Sequence, residues 1–161
     1  AGLPYLADVA RLEMLRVAAY HAADATPVSP EEIALLLSAP ERLPAARFAL
    51  HPSLRHLDSA YAVVSLWAAH QGDDIASAMA AVDASAPESA LVLRVGLDVE
   101  IYRITTGMAT FIRHLQQGLG LGTAVDLALA ADAAFDMADA LGLLIRSGAL
   151  TGIIASGSQP S

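Results

Sequence analysis

The sequence predicts an α+β protein, and three observations carry this prediction. Hydrophobic residues make up 55% of the 161 residues, and many of them are Ala and Leu, which favour helices. Several windows repeat apolar residues at the 3.6-residue period of a helix and follow a capping residue. Between these windows, residues 90–104 place β-branched and polar residues on both sides of a glycine turn, as a β-hairpin does.

The N-terminal part, residues 1–89, is predicted to be a helical portion with short strands. Its predicted elements are a helix over roughly residues 3–23, a short helix ending at Leu37, two strands around Pro52, a helix through Trp67 and a short helix after Asp73 or Asp74. Ser29 followed by Pro30 is typical of a helix start, because Ser accepts a backbone N–H and Pro suits the first helical position. A polar linker then leads to the hairpin.

The C-terminal part, residues 90–154, is predicted to form a small antiparallel hairpin, three helices and a last short strand. Thr105 or Thr106 is expected to cap the first of these helices, Thr123 the second and Asp136 the third. Gly148 is expected to end the third helix in the left-handed conformation. Hairpin, three helices and strand is the element order of a winged-helix-like unit.

Two hairpin registers are possible. A two-residue loop at Gly96-Leu97 pairs Leu93 with Glu100, whereas a three-residue loop at residues 96–98 pairs Leu93 with Ile101 and Arg94 with Glu100. Cross-strand matching favours the three-residue loop, because it makes one apolar face and one ion pair. The glycine at the first loop position argues mildly for the alternative.

The composition excludes several kinds of site. The chain has no Cys, so it can form no disulfide, thiolate metal site or Cys nucleophile. No pair of its five histidines has the spacing of a metal site, and we expect neither metal nor cofactor. No credible membrane span or signal peptide is visible, so a cytoplasmic protein is expected. The start at Ala1-Gly2 suggests a fragment or processed product, and residues 155–161 suggest a disordered tail.

Three features invite a phosphate-binding, ligand-binding or catalytic interpretation that their context does not favour. The run "GLGLGT", residues 118–123, resembles a phosphate loop but lies between two predicted helices, so a helix end and turn is the better interpretation. His21 and Asp24 are close enough on one helix to share a ligand, although a His stabilising a helix C-terminus is favoured. Ser53 and Ser65 have no nucleophile-elbow context.

The first helix carries a face that is part aromatic and part ionic. Glu13 and Arg16 lie there among apolar residues, and a buried charge needs a partner. The favoured interpretation is a structural ion-pair network that includes Arg55. The functional alternative is a partner-binding face, because aromatic residues and Arg dominate interfaces. The residues predicted for that face are Tyr5, Glu13, Arg16, Tyr20 and Trp67.

Charge argues against DNA as the ligand. The net charge is −8, and the residues from 90 to 154 carry four Arg against six acidic residues. A DNA-reading helix needs basic or amide side chains near its N-terminus, but the third helix begins with Asp136 and carries Asp139. A winged-helix transcription regulator therefore stays as the alternative function, with DNA binding unfavoured.

Three segments resemble one family. The segments "LPYLADVARLEMLRVAAYHAAD", "LHPSLRHLDSAYAVVSLWAAHQ" and "ALVLRVGLDVEIYRI" are similar to the C-terminal portion of HvfC/BufC-type proteins, which have long carried the description of DNA-binding proteins. Members of that family are partners of multinuclear non-haem iron oxidases, which modify cysteines in ribosomally made peptides. The resemblance implies a non-catalytic subunit that binds the oxidase and the precursor peptide, and it implies that the oxidase holds the iron.

The resemblance also implies a place for the peptide. The hairpin and three helices are similar to the peptide-recognition element of other peptide-modifying systems, in which the peptide adds a strand beside the one before the first helix. In this chain that strand is residues 99–104 and the facing helix is residues 137–145. The peptide-binding residues implied are Val99, Ile101, Arg103, Ala140, Leu143 and Leu144. Packing in the core is an equally good interpretation for Leu144. A substitution of Leu143 therefore distinguishes better between peptide binding and core packing.

Overall fold

A computed structural model describes residues 3–154 and confirms the α+β class. The predicted tail, residues 155–161, lies outside the described residues. In chain order the elements are α1 (Leu6–His21), α2 (Pro30–Leu37), a 3-10 helix (Pro40–Ala45), β1 (Arg47–Leu50), β2 (Arg55–Ser59), α3 (Val63–Ala69), α4 (Ile75–Ala80), β3 (Glu88–Val95), β4 (Asp98–Ile104), α5 (Thr106–Gln116), α6 (Leu121–Ala131), α7 (Met137–Arg146) and β5 (Leu150–Ile154).

Most of the predicted helix ends are confirmed. Ser29, Thr105 and Asp136 cap α2, α5 and α7, since each side chain accepts a backbone N–H of the first turn. Gly148 follows α7 with a φ of +77°, a left-handed conformation that glycine adopts without strain. The cap predicted at Thr123 is wrong, because α6 begins two residues earlier, at Leu121 after Gly120.

The five strands of the described part of the chain form two antiparallel sheets. One sheet has the order β2-β3-β4, and the other pairs β1 with β5. Both sheets join strands from the two sides of the boundary predicted between residues 89 and 90, and that boundary falls inside β3. The last strand therefore leaves the C-terminal unit to pair with β1, because Phe48 and Leu50 offer it a partner and a share of the core.

The hairpin takes the register that cross-strand matching disfavoured. Val95 pairs with Asp98 and Leu93 with Glu100, so the loop is the two-residue Gly96-Leu97. Gly96 has a φ of +72°, as the first position of a type II′ turn requires. In place of the predicted ion pair with Glu100, the Arg94 guanidinium donates to Ala19 O and Ala22 O at the end of α1.

The prediction of a single apolar face is wrong, because both faces of β3 are buried. Leu91 and Leu93 point into a large core that α5, α6, α7 and the β1–β5 sheet complete. Ala90 and Val92 point the other way, into a smaller core beneath α1 and α3. A strand buried on both faces reads as a continuous apolar run and gives no alternation from which a register can be chosen.

Candidate functional site

The candidate site is the outer edge of β4, which is the last strand of its sheet among the described residues. The direction of its backbone groups follows from Ser53. The Ser53 hydroxyl accepts the Arg94 N–H at 2.8 Å and lies 2.9 Å from Arg94 O, to which it can donate. Both backbone groups of Arg94 therefore point toward β2 and away from β4.

The alternation of an antiparallel pair then fixes the rest of β4. Arg94 pairs with Val99, and the two do not exchange hydrogen bonds because the Arg94 groups point away. Hydrogen-bonded and non-hydrogen-bonded pairs alternate along an antiparallel ladder, so Ile101 and Arg103 occupy the same kind of position as Val99. The N–H and C=O groups of these three residues consequently point outward from the open edge.

The side chains of the same residues lie on the α1 face of the sheet. Val99 and Ile101 are half-buried and pack against the smaller core. Arg103 is largely exposed, and its guanidinium lies 3.5 Å from Glu88 Oε2. Glu88 is itself engaged, since its carboxylate accepts the backbone N–H groups of Val64 and Ser65 at the start of α3. Arg103 is exposed and its contact with the engaged Glu88 is long, so its guanidinium can take another carboxylate.

Three of the five residues predicted for the partner-binding face lie together. The Trp67 indole donates its N–H to Glu13 Oε1 at 2.6 Å, and Arg16 lies 3.6 Å from the same carboxylate. The Arg16 guanidinium also lies 5.7 Å from the centre of the Trp67 ring, within reach of a cation–π contact. These three residues are called the Trp67 cluster below.

The remaining residues of that predicted face lie elsewhere. Tyr5 is buried against Leu66, so its ring offers little surface to a partner. Tyr20 is exposed and packs edge-on against His21, with 5.1 Å between the ring centres. Arg55 takes no part in the Glu13 network, because its guanidinium donates to the Pro52 and Leu54 carbonyls.

The predicted peptide-binding residues of α7 are mostly in the core. Ala140 and Leu144 are fully buried, so neither can form the floor of an open pocket, and packing is the interpretation that holds for Leu144. Leu143 is half-buried at the edge of the large core. The helix nonetheless approaches the edge strand at its end, where Arg146 and Ser147 share a cleft of about 240 Å³ with Glu100 and Tyr102.

The α7 face of β4 is more polar than the α1 face. Tyr102 donates its hydroxyl proton to the Glu100 carboxylate. Burial, aided by that carboxylate, raises the pKa of Tyr102 to about 12. The Tyr102 hydroxyl therefore stays protonated near neutral pH, and the two side chains form a fixed polar pair beside the edge.

The structure places a Ser, a His and an Asp in a row that sequence reasoning missed. Ser53 Oγ lies 2.9 Å from His51 Nδ1, and His51 Nε2 lies 3.7 Å from Asp24 Oδ1. Ser53 is fully buried and its hydroxyl is held by the Arg94 backbone, so no substrate can reach it. The row is a structural connection rather than a nucleophilic triad, and the close spacing of His51-Pro52-Ser53 is the signal that the sequence offered.

Among residues 3–154, no group of three or more His, Cys, Asp or Glu side chains is placed to hold a metal ion. Asp24 faces His51 rather than joining His21, with which a shared ligand was considered. Within the same residues, no helix has the length and apolar character needed to cross a membrane.

Comparison with known proteins gives no assignment. No family model, curated protein sequence or solved structure matches this chain.

Proposed function

We propose that this chain is a non-catalytic recognition subunit, which binds an extended segment of a ribosomally made precursor peptide at the β4 edge. It also binds the multinuclear non-haem iron oxidase that modifies the peptide. The observation that carries the first half is the open edge of β4, where Val99, Ile101 and Arg103 direct their N–H and C=O groups outward. An unpaired strand edge is a ready template for another strand.

Main-chain bonding makes this edge a suitable receptor for a peptide of variable sequence. A hydrogen bond contributes about 0.5–1.5 kcal/mol net, and each of the three residues offers one donor and one acceptor. Side chains on either face of the edge then add specificity. On the α1 face these are the half-buried Val99 and Ile101 with Arg103 beyond them, and on the α7 face they are Glu100 and Tyr102.

The oxidase half of the proposal rests on the family resemblance and on the surface of α1. That helix exposes apolar side chains away from both cores: Leu6, Met14, Val17 and Tyr20. Met14 is the most exposed of the four, at 70%. Exposed apolar surface of this kind marks interaction sites. In the proposed complex the iron belongs to the oxidase.

The alternative, a DNA-binding regulator, has less support. The N-terminus of α7, which would enter the major groove, exposes Asp136 and Asp139. Arg146, the basic residue of that helix, lies at its opposite end. With a net charge of −8, the chain would repel phosphate rather than release counterions from it.

The test is Ile101→Pro, compared with Ile101→Ala. Both variants lose the Ile side chain, but only Pro removes the outward N–H, which makes no bond within the sheet. Pro is tolerated at an edge position of this kind. With the Cys-containing precursor peptide of the proposed complex, calorimetry should show Ile101→Pro binding about two- to tenfold more weakly than Ile101→Ala, because one main-chain hydrogen bond is lost. Circular dichroism controls for folding.

A second substitution, Leu143→Glu, tests the α7 side of the groove against Leu129→Glu on α6. Both place a carboxylate on a partly exposed helix position, but only Leu143 lies on α7. We expect weaker peptide binding for Leu143→Glu alone, because burying an unpaired charge is costly. Folded Ile101→Pro and Leu143→Glu variants that both bind like the parent chain would rule out this groove.

A further inference from the structure

The Trp67 cluster and the β4 edge border the same small core. Trp67, Val99 and Ile101 pack against the same small core, and α3, which carries Trp67, packs on β3 and β4. Resting on the function proposed above, we propose that the Trp67 cluster is the specificity pocket of the peptide groove. Its occupant is one large apolar side chain of the bound strand, namely the residue opposite Ile101.

The geometry of strand addition selects that residue. Residues directly opposite each other in a ladder point to the same face of the sheet. The peptide residue opposite Ile101 must therefore point to the α1 face, where Ile101 and Trp67 both pack against the small core. Its two neighbours along the peptide point to the other face, toward Glu100 and Tyr102, whose cleft is polar.

The indole is held ready for such a contact. Its N–H is bonded to Glu13, so the polar atom of the ring is satisfied without a ligand. Arg16 lies over the ring and is partly exposed, so its guanidinium can shift while its alkyl chain covers an incoming side chain. Trp67 is half-buried, and it packs against the core that Val99 and Ile101 of the edge strand also border. An added strand that carries an apolar side chain on this face can cover the rest of the ring while it pairs with the edge.

The edge also identifies the occupant as an extended strand rather than a helix. A helix satisfies its own backbone groups and would leave the outward N–H and C=O groups of β4 unpaired under an apolar cover. Covering them without a partner costs free energy. An extended segment pairs with these groups and fills the pocket at the same time.

The experiment starts from a displayed library of random 12-residue peptides selected on the intact chain, and each selected peptide is then measured on Ile101→Pro. Selected peptides should share one large apolar residue, and its replacement by Ser should weaken binding about tenfold or more. Trp67 is the single Trp of the chain, so its fluorescence reports on this face. We expect its emission to shift on binding of the parent peptide and to shift less with the Ser peptide.

Variants of the pocket supply the second arm. By anisotropy of a labelled selected peptide, Trp67→Ala should bind about tenfold more weakly, while Trp67→Phe, which keeps an aromatic ring, should lose less. In the Trp67→Ala chain, replacing the apolar peptide residue by Ser should weaken binding little further, because the pocket that this residue would fill is already absent. The peptide-side replacement needs no protein variant and stays decisive if Trp67→Ala unfolds.

The outcomes separate this inference from the proposed function. Peptides that depend on the Ile101 N–H but share no apolar residue and leave Trp67 emission unchanged would overturn the pocket and leave edge binding standing. Peptides that bind Ile101→Pro as well as the parent chain would overturn edge binding, and the pocket with it. A library that yields no binder above background would overturn both.

Discussion

His51 is fully buried, yet its Nε2 atom has no hydrogen-bond partner among the described residues. The other ring nitrogen, Nδ1, lies 3.1 Å from the Ser53 N–H and accepts from it. The proton of the neutral ring therefore sits on Nε2, toward the exposed Asp24 carboxylate. A second proton would have to go to Nδ1, where it would displace the Ser53 N–H. Burial, opposed in part by Asp24, lowers the pKa of His51.

This arrangement predicts a loss of stability in mild acid. A histidine with a lowered folded pKa binds fewer protons in the folded chain than in the unfolded chain, whose value is near 6.5. Its stabilising contribution is present above pH 6.5 and is lost as the pH falls from there toward the folded pKa. The free energy of unfolding, measured by urea titration, should therefore be lower at pH 5.5 than at pH 7.5.

His51→Asn is the control for that prediction. The Asn carbonyl oxygen can accept the Ser53 N–H in place of Nδ1 but does not titrate. Burial also lowers the pKa of His56, which contributes in the same direction and remains in the variant. The acid-induced loss should consequently be smaller for His51→Asn than for the parent chain. An equal loss in both would show that His51 is not responsible.

At the scale of elements, Gly96 sets the hairpin register. Its φ of +72° is costly for a residue with a Cβ atom, by about 1–2 kcal/mol. Gly96→Ala should therefore lower the free energy of unfolding by about that amount in urea titration. Gly72→Ala is the matched control, because Gly72 has no positive φ and equally open surroundings. Equal stability of the two variants would contradict this account of the turn.

The elements themselves could be predicted from the sequence, because caps and periodicity are local signals. The hairpin register could not, since the choice depended on Arg94, whose partners are carbonyls at the end of α1, far away in the chain. The start of α6 was missed for a similar reason. Gly120 and Gly122 let the helix approach Pro44, where an added Cβ would lie 3.0–3.1 Å from that residue. The run "GLGLGT" is thus a close packing contact.

Some residues of the candidate site could likewise be predicted from the sequence, and others could not. Val99, Ile101 and Arg103 were placed on the edge by the family resemblance, and the structure gives a physical basis in the direction of their backbone groups. Ala140 and Leu144 belong to the core, which their positions on the inward stripe of α7 could have indicated. The contact of Trp67 with Glu13 joins residues 54 positions apart, so the sequence could supply the residues but not the contact.

For the whole molecule, the sheet arrangement explains why β4 is left open. The β2-β3-β4 sheet is covered by α1 and α3 on one face and by the large core on the other. The last strand, which could have extended this sheet, pairs with β1 instead. Among residues 3–154 the edge of β4 thus remains unpaired between two packed layers, which is the arrangement that an added peptide strand would complete.

Residue-resolved amide hydrogen exchange tests that central claim most directly. In the free chain the amides of Val99, Ile101 and Arg103 should exchange fast, while those of Glu100 and Tyr102, which pair with β3, should exchange slowly. A peptide selected as described above should slow the first three amides and leave the other two nearly unchanged. A bound peptide that leaves Val99, Ile101 and Arg103 exchanging at their free rates would contradict strand addition at β4.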